Sequence, residues 1–109
     1  MAYSDELANR VRAALGDRSN VGERKMFGGL AFMHHGHMFS GVLAEQLVLR
    51  LGPDAAERAL EQPHTAPMDF TGRPLKGYVY VAQAALKNAD DIRRWLEQAI
   101  EFVESLPPK

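Results

Sequence analysis

Three closely spaced histidines, His34, His35 and His37, are the residues of this sequence that most directly suggest metal chemistry. A two-residue turn at His35-Gly36 would place His34 opposite His37 in a hairpin, with Cβ atoms about 5 Å apart, close enough to share one ion. A zinc site needs three or four ligands, and only His35 or His64 could add imidazole nitrogens. We therefore expect no metal site, and His34 and His37 are the weak candidates for one.

A basic turn is the second candidate for chemistry. Arg73 and Lys76 lie in the segment Thr71–Gly77, which begins and ends near glycines and is stiffened by Pro74. Arginine offers a fork of donors and lysine a point charge, so the pair could hold a carboxylate or a phosphate. The alternative is a solvated turn whose cations pair with a carboxylate such as Asp69.

Further cations could extend this turn into a site if the ends of the strands meet. Arg24 and Lys25 precede the first apolar run, and Arg50 lies near the end of the third predicted strand. We predict that a ligand or partner contacts the side chains of Arg24, Lys25, Arg73 and Lys76.

Motifs that would indicate catalysis are missing from the chain. The glycines of Met26-Phe27-Gly28-Gly29 lie inside a predicted strand and lack the strand-to-helix context and the following Lys and Ser or Thr of a phosphate-binding loop. A bulge or close packing against a helix is the better interpretation. The sequence has no Gly-x-Ser-x-Gly and no His-Glu-x-x-His, and it contains no cysteine. We expect a non-catalytic protein without a cofactor, although residues distant in sequence can converge on an active site.

Composition and charge limit the classes of protein to which this chain could belong. The 109 residues are 46% apolar and 25% charged, which is typical of one soluble domain, here residues 1–109. A net charge of −1 argues against direct nucleic-acid binding, so Tyr78 and Tyr80, which could stack on bases, are expected to lie under a helix instead. No signal peptide and no membrane-spanning apolar stretch is present, which predicts a cytoplasmic protein.

Helix signals occur at both ends of the chain and in its middle. Ser4 is a predicted N-cap, and Pro53 fits the first turn of a helix. Trp95 lies on an apolar stripe that continues to Leu106, which predicts a buried Trp95. The predicted helices are Asp5–Leu15, one from Pro53 that stops before Pro63, and one from Asp90 that stops at Pro107.

The segments between the helices are predicted to be strands. Hairpin pairing predicts His34 opposite His37, Met33 opposite Met38 and Phe32 opposite Phe39, and Pro67 confines its strand to a sheet edge. The predicted strands are Lys25–Met33, Met38–Leu43, Leu47–Leu51, Ala66–Phe70 and Gly77–Ala82. The predicted fold is α+β, with two layers in the order α-β(3)-α-β(2)-α and an antiparallel sheet.

The first predicted strand is apolar on both sides. Met26, Leu30 and Phe32 alternate with Phe27, Ala31 and Met33. A half-exposed strand would alternate apolar and polar residues, so both faces need cover. Three helices leave one apolar face over, which predicts a homodimer.

Several short motifs, in order along the chain, resemble one known family. They are Arg24-Lys25-Met26-Phe27-Gly28-Gly29, Gly36-His37-Met38-Phe39, Leu47-Val48-Leu49-Arg50, Gly72-Arg73-Pro74-Leu75-Lys76-Gly77-Tyr78-Val79-Tyr80-Val81 and Arg94-Trp95-Leu96. Together they resemble the N-terminal domain family of TfoX, the bacterial competence regulator, over roughly residues 5–105.

The resemblance implies a two-layer α+β fold similar to that of type III secretion chaperones. It implies a regulatory role in DNA uptake, exercised through an unidentified protein partner, and no catalytic residues. The full-length regulator has a further C-terminal domain, so this chain is expected to be a stand-alone N-terminal domain. The alternative function is binding of a small anion or phosphate ligand, or an enzyme that uses the Arg73 and Lys76 turn.

Overall fold

The computed structural model describes residues 3–16, 21–26, 28–34, 36–70 and 73–107, and for residues 26, 68–70 and 73–76 it describes the backbone alone. Within these residues the chain forms three α-helices, six β-strands and one short 3₁₀ helix. They are α1 Asp5–Leu15, β1 Val21–Met26, β2 Gly29–His34, β3 His37–Leu43, β4 Gln46–Arg50, α2 Pro53–Ala59, β5 Thr65–Phe70, β6 Arg73–Ala82, the 3₁₀ helix Gln83–Ala85 and α3 Ala89–Glu104. The predicted α+β class with an antiparallel sheet is confirmed, with four strands before α2 where three were predicted.

The helices begin where their capping residues predict. The hydroxyl of Ser4 accepts a hydrogen bond of 3.1 Å from the backbone N–H of Leu7, and α2 starts at Pro53 as expected. Asn88 caps α3 by accepting from the N–H of Asp91 at 2.9 Å, which starts this helix one residue before the predicted Asp90. None of the described helices has the length and apolar content needed to cross a bilayer.

The long strand predicted at Lys25–Met33 is two strands, β1 and β2, joined by a tight turn. Met26 pairs directly with Gly29, and Gly28 has a φ of +74°, a backbone conformation that favours glycine. Gly28 therefore lies in the turn between two strands, and its interpretation as part of a bulge within one strand is wrong; Phe27 lies outside the described residues. Gly29 is closely packed, but against the neighbouring strand β3 and not against a helix as predicted, because a Cβ there would lie 2.5 Å from the carbonyl oxygen of Val42.

The six strands form one antiparallel sheet in the order β1-β2-β3-β4-β6-β5. Strand β5, which contains Pro67, lies at an edge as predicted. Two of the three predicted hairpin pairs are confirmed, His34 with His37 and Met33 with Met38. The third is wrong, because the register shifts at this point and Phe32 pairs with Ser40 rather than Phe39.

The helices contribute to a single core on one face of the sheet. Two rows of strand residues face this core: one consists of Leu30, Val42, Leu47 and Val81, and the other of Phe32, Ser40, Leu49 and Val79. Helix residues that complete the core include Leu7 and Val11 of α1, Ala56 and Ala59 of α2, and Trp95, Leu96 and Ala99 of α3. Trp95 is only 7% exposed, which confirms its predicted burial.

The two tyrosines of β6 contradict the sequence prediction. Because Val79 and Val81 lie in the core, the alternating Tyr78 and Tyr80 belong to the opposite side of the sheet, away from the helices. Both faces of β6 are apolar or aromatic, so the sequence alone did not identify which residues the helices cover. The expected helix cover of Tyr78 and Tyr80 is therefore wrong.

An ion pair ties the first helix to the edge strand β1. The guanidinium of Arg12 donates two hydrogen bonds of 2.8 Å to the carboxylate of Glu23. The hydrogen bond from Arg12 lowers the pKa of Glu23 below its ordinary value of 4.5 and, in turn, raises the pKa of Arg12. Both side chains are more than a third exposed, so water screens the pair and its contribution to stability is small.

Substitution of Glu23 by glutamine is expected to lower the free energy of unfolding at pH 7 by less than about 1 kcal/mol. Since the folded-state pKa of Glu23 is depressed, the contribution of the pair is present above the unfolded-state value of 4.5 and is lost as the pH falls through the folded-state pKa. Urea unfolding at several pH values should show the wild type and Glu23→Gln converging in acid. Glu45→Gln, in the exposed turn between β3 and β4, is the control; a difference that grows in acid contradicts the prediction.

Candidate interaction surface

The face of the sheet opposite the helices carries a continuous row of side chains. In register order across all six strands, this row is Arg24, Ala31, Gly41, Val48, Tyr80 and Ala66. Met33 and Met38 pair with each other on the same side of the hairpin, next to Ala31. We name the surface formed by Ala31, Met33, Met38, Gly41, Val48 and Tyr80 the open face.

The open face has a floor of small residues and a cover of long, half-buried side chains. Ala31 and Val48 are each only 2% exposed although they lie on the side away from the helices. The methyl carbon of Met38 lies 3.2 Å from the position that a Cβ of Gly41 would occupy, so this side chain rests over the glycine. Methionine is flexible and polarizable, so Met33 and Met38 can repack around an apolar partner at low cost.

The two edges of the sheet are poorly suited to pairing with a further strand. Edge strand β1 exposes Glu23, Arg24 and Lys25, and edge strand β5 contains Pro67, whose nitrogen carries no hydrogen. Charges and proline at sheet edges hinder edge-to-edge association. The described edges of the sheet are therefore poor candidates for pairing with a strand of another protein.

Arg50, at the end of β4, lies between two aromatic rings. Its guanidinium carbon is 5.8 Å from the ring centroid of Tyr78, its register partner on β6, and 5.6 Å from that of Phe102 on α3. Both distances fall within the range of cation–π attraction. Within the described part of the chain the guanidinium forms no hydrogen bond and no ion pair, so the rings fix its position and leave its donors unused.

The four predicted contact residues do not lie on one patch of the sheet. Arg24 and Lys25 are exposed on β1, where their register partners Ala31 and Leu30 belong to opposite faces. Strands β2, β3 and β4 separate β1 from β6, which corresponds to about 19 Å.

The predicted basic turn is largely strand. Arg73 is the first residue of β6, and Lys76 lies within this strand, so both follow the turn instead of forming it. The side chains of Arg73 and Lys76 lie outside the described residues. A ligand-contact role for Arg24, Lys25, Arg73 or Lys76 stays a prediction.

The paired histidines hold the end of α3 against the sheet. His34 and His37 are 4% and 7% exposed, so both side chains are buried; His35 lies outside the described residues. The Nε2 atom of His34 lies 3.2 Å from a carboxylate oxygen of Glu104, and Nε2 of His37 lies 2.7 Å from the carbonyl oxygen of Pro107.

The hydrogen bond of His37 shows which of its ring nitrogens carries a hydrogen. A carbonyl oxygen only accepts hydrogen bonds, so Nε2 of His37 donates to Pro107, and the buried Nδ1 has no partner among the described residues. Across those residues no group of three or more metal-binding side chains is arranged around a common point. The geometry of His34 and His37 thus supports a structural role at the end of α3.

Substitution of His37 by phenylalanine, which keeps a buried ring but removes the donor, is expected to lower the free energy of unfolding by about 1 kcal/mol. The last turn of α3 should open more often, because the amides of Ser105 and Leu106 depend on hydrogen bonds there. Hydrogen exchange of these two amides measures the effect. The exposed His64→Phe is the control; unchanged exchange in the His37 variant would contradict a role in holding this segment.

A shallow cleft of about 380 Å³ lies between α2 and α3, with Phe102 and Leu51 among its apolar lining residues. Ser105 is also part of this lining, but its hydroxyl donates to the backbone carbonyl of Phe102. A hydroxyl bonded to its own helix is not activated by a neighbouring base, as nucleophilic catalysis would require. Among the described residues that line the cleft, Ser105 is therefore not arranged as a nucleophile.

Comparisons with known proteins agree with the resemblance carried by the sequence motifs. No curated protein and no solved structure matches the chain. The sequence model of the TfoX N-terminal domain family matches residues 13–103. This span runs from the last turn of α1 to the last turn of α3 and includes the six described strands. This chain belongs to the TfoX N-terminal domain family.

Proposed function

We propose that this chain is a non-catalytic regulatory domain of the competence-regulator kind, and that it acts by binding another protein through the open face. Membership of the TfoX N-terminal domain family supports the regulatory role. The observation that supports the mode of action is that Met33, Met38 and Tyr80, on the side of the sheet away from the helices, are only partly buried. Apolar surface that a fold leaves without a covering layer is typical of protein-binding sites.

The polar groups next to the core support binding over catalysis. The buried hydroxyl of Ser40 donates to the carbonyl oxygen of Val48 at 2.7 Å, and the imidazoles of His34 and His37 contact the end of α3. Groups committed to such internal contacts stabilise the fold and are not free to transfer protons to a substrate.

The homodimer expected from the sequence stays a prediction, and the open face is the surface that it would require. Light scattering at micromolar concentrations should then give a mass near twice the monomer value of 12.1 kDa, with dissociation on dilution. Val48→Lys should shift the protein towards the monomer, because two lysines would meet in the interface. A mass of 12.1 kDa at every concentration would contradict the dimer.

The proposed function is tested by placing a charge on the open face in the host cell. Val48→Lys and the less buried Met33→Lys are expected to lower the frequency of DNA uptake, because a lysine there disrupts an apolar interface. Gln98→Lys, on the exposed side of α3, adds the same charge away from this face and is the matched control.

Thermal melts and protein levels must first show that each variant folds and accumulates. A folded Met33→Lys or Val48→Lys protein that supports DNA uptake as well as Gln98→Lys does would overturn the proposed function.

A further inference from the structure

The guanidinium of Arg50 is held in a position where it could bind an anion, and no carboxylate of the described residues pairs with it. Arginine is rarely buried without a carboxylate partner. Within the part of the chain that the structure describes, the half-buried Arg50 contacts the rings of Tyr78 and Phe102 but no carboxylate. A guanidinium already held by two rings loses little conformational freedom when it forms a bidentate pair. Its five unused N–H donors match the geometry of a carboxylate.

Charge is distributed unevenly between the two sides of the sheet. Among strand residues whose side chains are described, those on the side of the open face include Arg24 but no aspartate or glutamate. Arg50 adds a second positive charge at the end of β4, where its guanidinium lies between Tyr78 and Phe102. Acidic side chains are concentrated on the helix layer. They include Asp54 and Glu57 on α2 and Glu97, Glu101 and Glu104 on α3. The sheet side therefore complements a partner with negative charge.

We propose that the open face binds an amphipathic helix of another protein, whose apolar side chains pack on the partly exposed Met33, Met38 and Tyr80 and whose flanking carboxylate pairs with Arg50. This inference rests on the proposed function and specifies the chemistry of the partner. The distance from Ala31 on β2 to Tyr80 on β6 is three strand spacings, about 14 Å, which accommodates one helix of about 10 Å diameter. Met33 and Met38 repack against the helix from the hairpin side.

A second copy of the chain fits this surface less well than an acidic helix does. Two copies packed by their open faces would bring the arginines at positions 24 and 50 of both protomers close to one interface, and the strand side chains that the structure describes on these faces include no carboxylate to offset them. An acidic helix supplies the opposite charge. It should therefore displace a second copy wherever the two compete.

The probe for this inference is a synthetic 16-residue amphipathic helix with leucines along one side and aspartate and glutamate beside them. A matched peptide carries asparagine and glutamine at the acidic positions. Fluorescence anisotropy with the full chain should show that the acidic peptide binds at least about tenfold more tightly than the amide peptide. Amide NMR shifts on binding should centre on Ala31, Val48 and Tyr80.

Arg50→Gln is expected to weaken binding of the acidic peptide about tenfold and to remove the preference over the amide peptide. Arg50→Lys keeps the charge without the fork and should bind with intermediate affinity, which preserves the test if the glutamine variant unfolds. Arg93→Gln removes an exposed arginine of α3 that pairs with Asp90, and it should bind like the wild type.

Three results would overturn the inference: equal affinity of the two peptides, an equal loss in Arg93→Gln, or NMR shifts confined to the helix layer. A dimer that the acidic peptide fails to displace would also overturn it. These failures are separate from a failure of the proposed function. If Val48→Lys abolishes DNA uptake but neither peptide binds, the open face is functional and its partner is not an acidic helix.

Discussion

Substitution of Trp95 by alanine is expected to lower the free energy of unfolding by about 3–5 kcal/mol, which is the largest effect of any single change considered for this fold. Trp95 is 7% exposed and packs in the core between α3 and the sheet, so its loss leaves a cavity that the surrounding side chains fill only in part. Total stability of a domain of this size is about 5–15 kcal/mol, and the variant should be partly unfolded near physiological temperature.

Urea unfolding followed by far-ultraviolet circular dichroism measures this effect without relying on the fluorescence of the residue removed. Arg94→Ala, at the neighbouring position of α3, is the matched control because the Arg94 side chain is 74% exposed. It should change stability by no more than about 0.5 kcal/mol. A cost below about 1 kcal/mol for Trp95→Ala would mean that α3 presents a different side to the sheet.

Substitution of Gly52 by alanine is expected to cost about 2–4 kcal/mol, because two constraints act at this residue. Its φ is +88°, and a Cβ there would lie 2.5 Å from a ring carbon of Phe102. The N–H groups of Leu51 and Gly52 both donate to the carbonyl oxygen of Gly77, so the backbone is fixed and does not relax freely.

Alanine substitutions at two other glycines distinguish the effect of the positive φ from the effect of the steric clash. Gly16 has a φ of +60° with open space around it, so Gly16→Ala should cost about 1 kcal/mol. Gly22 has neither constraint, and Gly22→Ala should be within about 0.5 kcal/mol of the wild type. Chemical denaturation of the three variants should rank them in this order. Equal costs for Gly52→Ala and Gly16→Ala would show that the Phe102 ring moves aside freely.

Local signals were sufficient for the helices and for part of the sheet. The hydroxyl of Ser4 and the ring of Pro53 act within one turn of the chain, so the starts of α1 and α2 could be predicted from neighbouring residues. The turn at Gly28 was missed because apolar residues on both sides of it suggested one uninterrupted strand. A pair of glycines in an apolar run is consistent with either a bulge or a turn, and only the pairing of Met26 with Gly29 decides between them.

The candidate site depends on contacts between residues that are distant in sequence. Arg50 meets Tyr78 and Phe102 only after β4 pairs with β6 and α3 packs on the sheet. Neither the residue type of Arg50 nor its position in the sequence indicates that it will contact these two rings. The pairing of His34 with His37 followed from hairpin geometry, whereas their contacts with Glu104 and Pro107 join segments 70 residues apart.

The strand order has a consequence for the rate at which the chain folds. Strands β1 to β4 are consecutive in the sequence and pair through short turns, so they can form a meander with little loss of chain entropy. Strand β6, in contrast, must reach β4 across α2 and β5, and its pairing brings Gln46 to Ala82. Closure of this longer loop is the entropically costly step. The transition state for folding should therefore contain the meander together with the first pairing of β6 with β4, and Arg50 reaches Tyr78 only as that pairing forms.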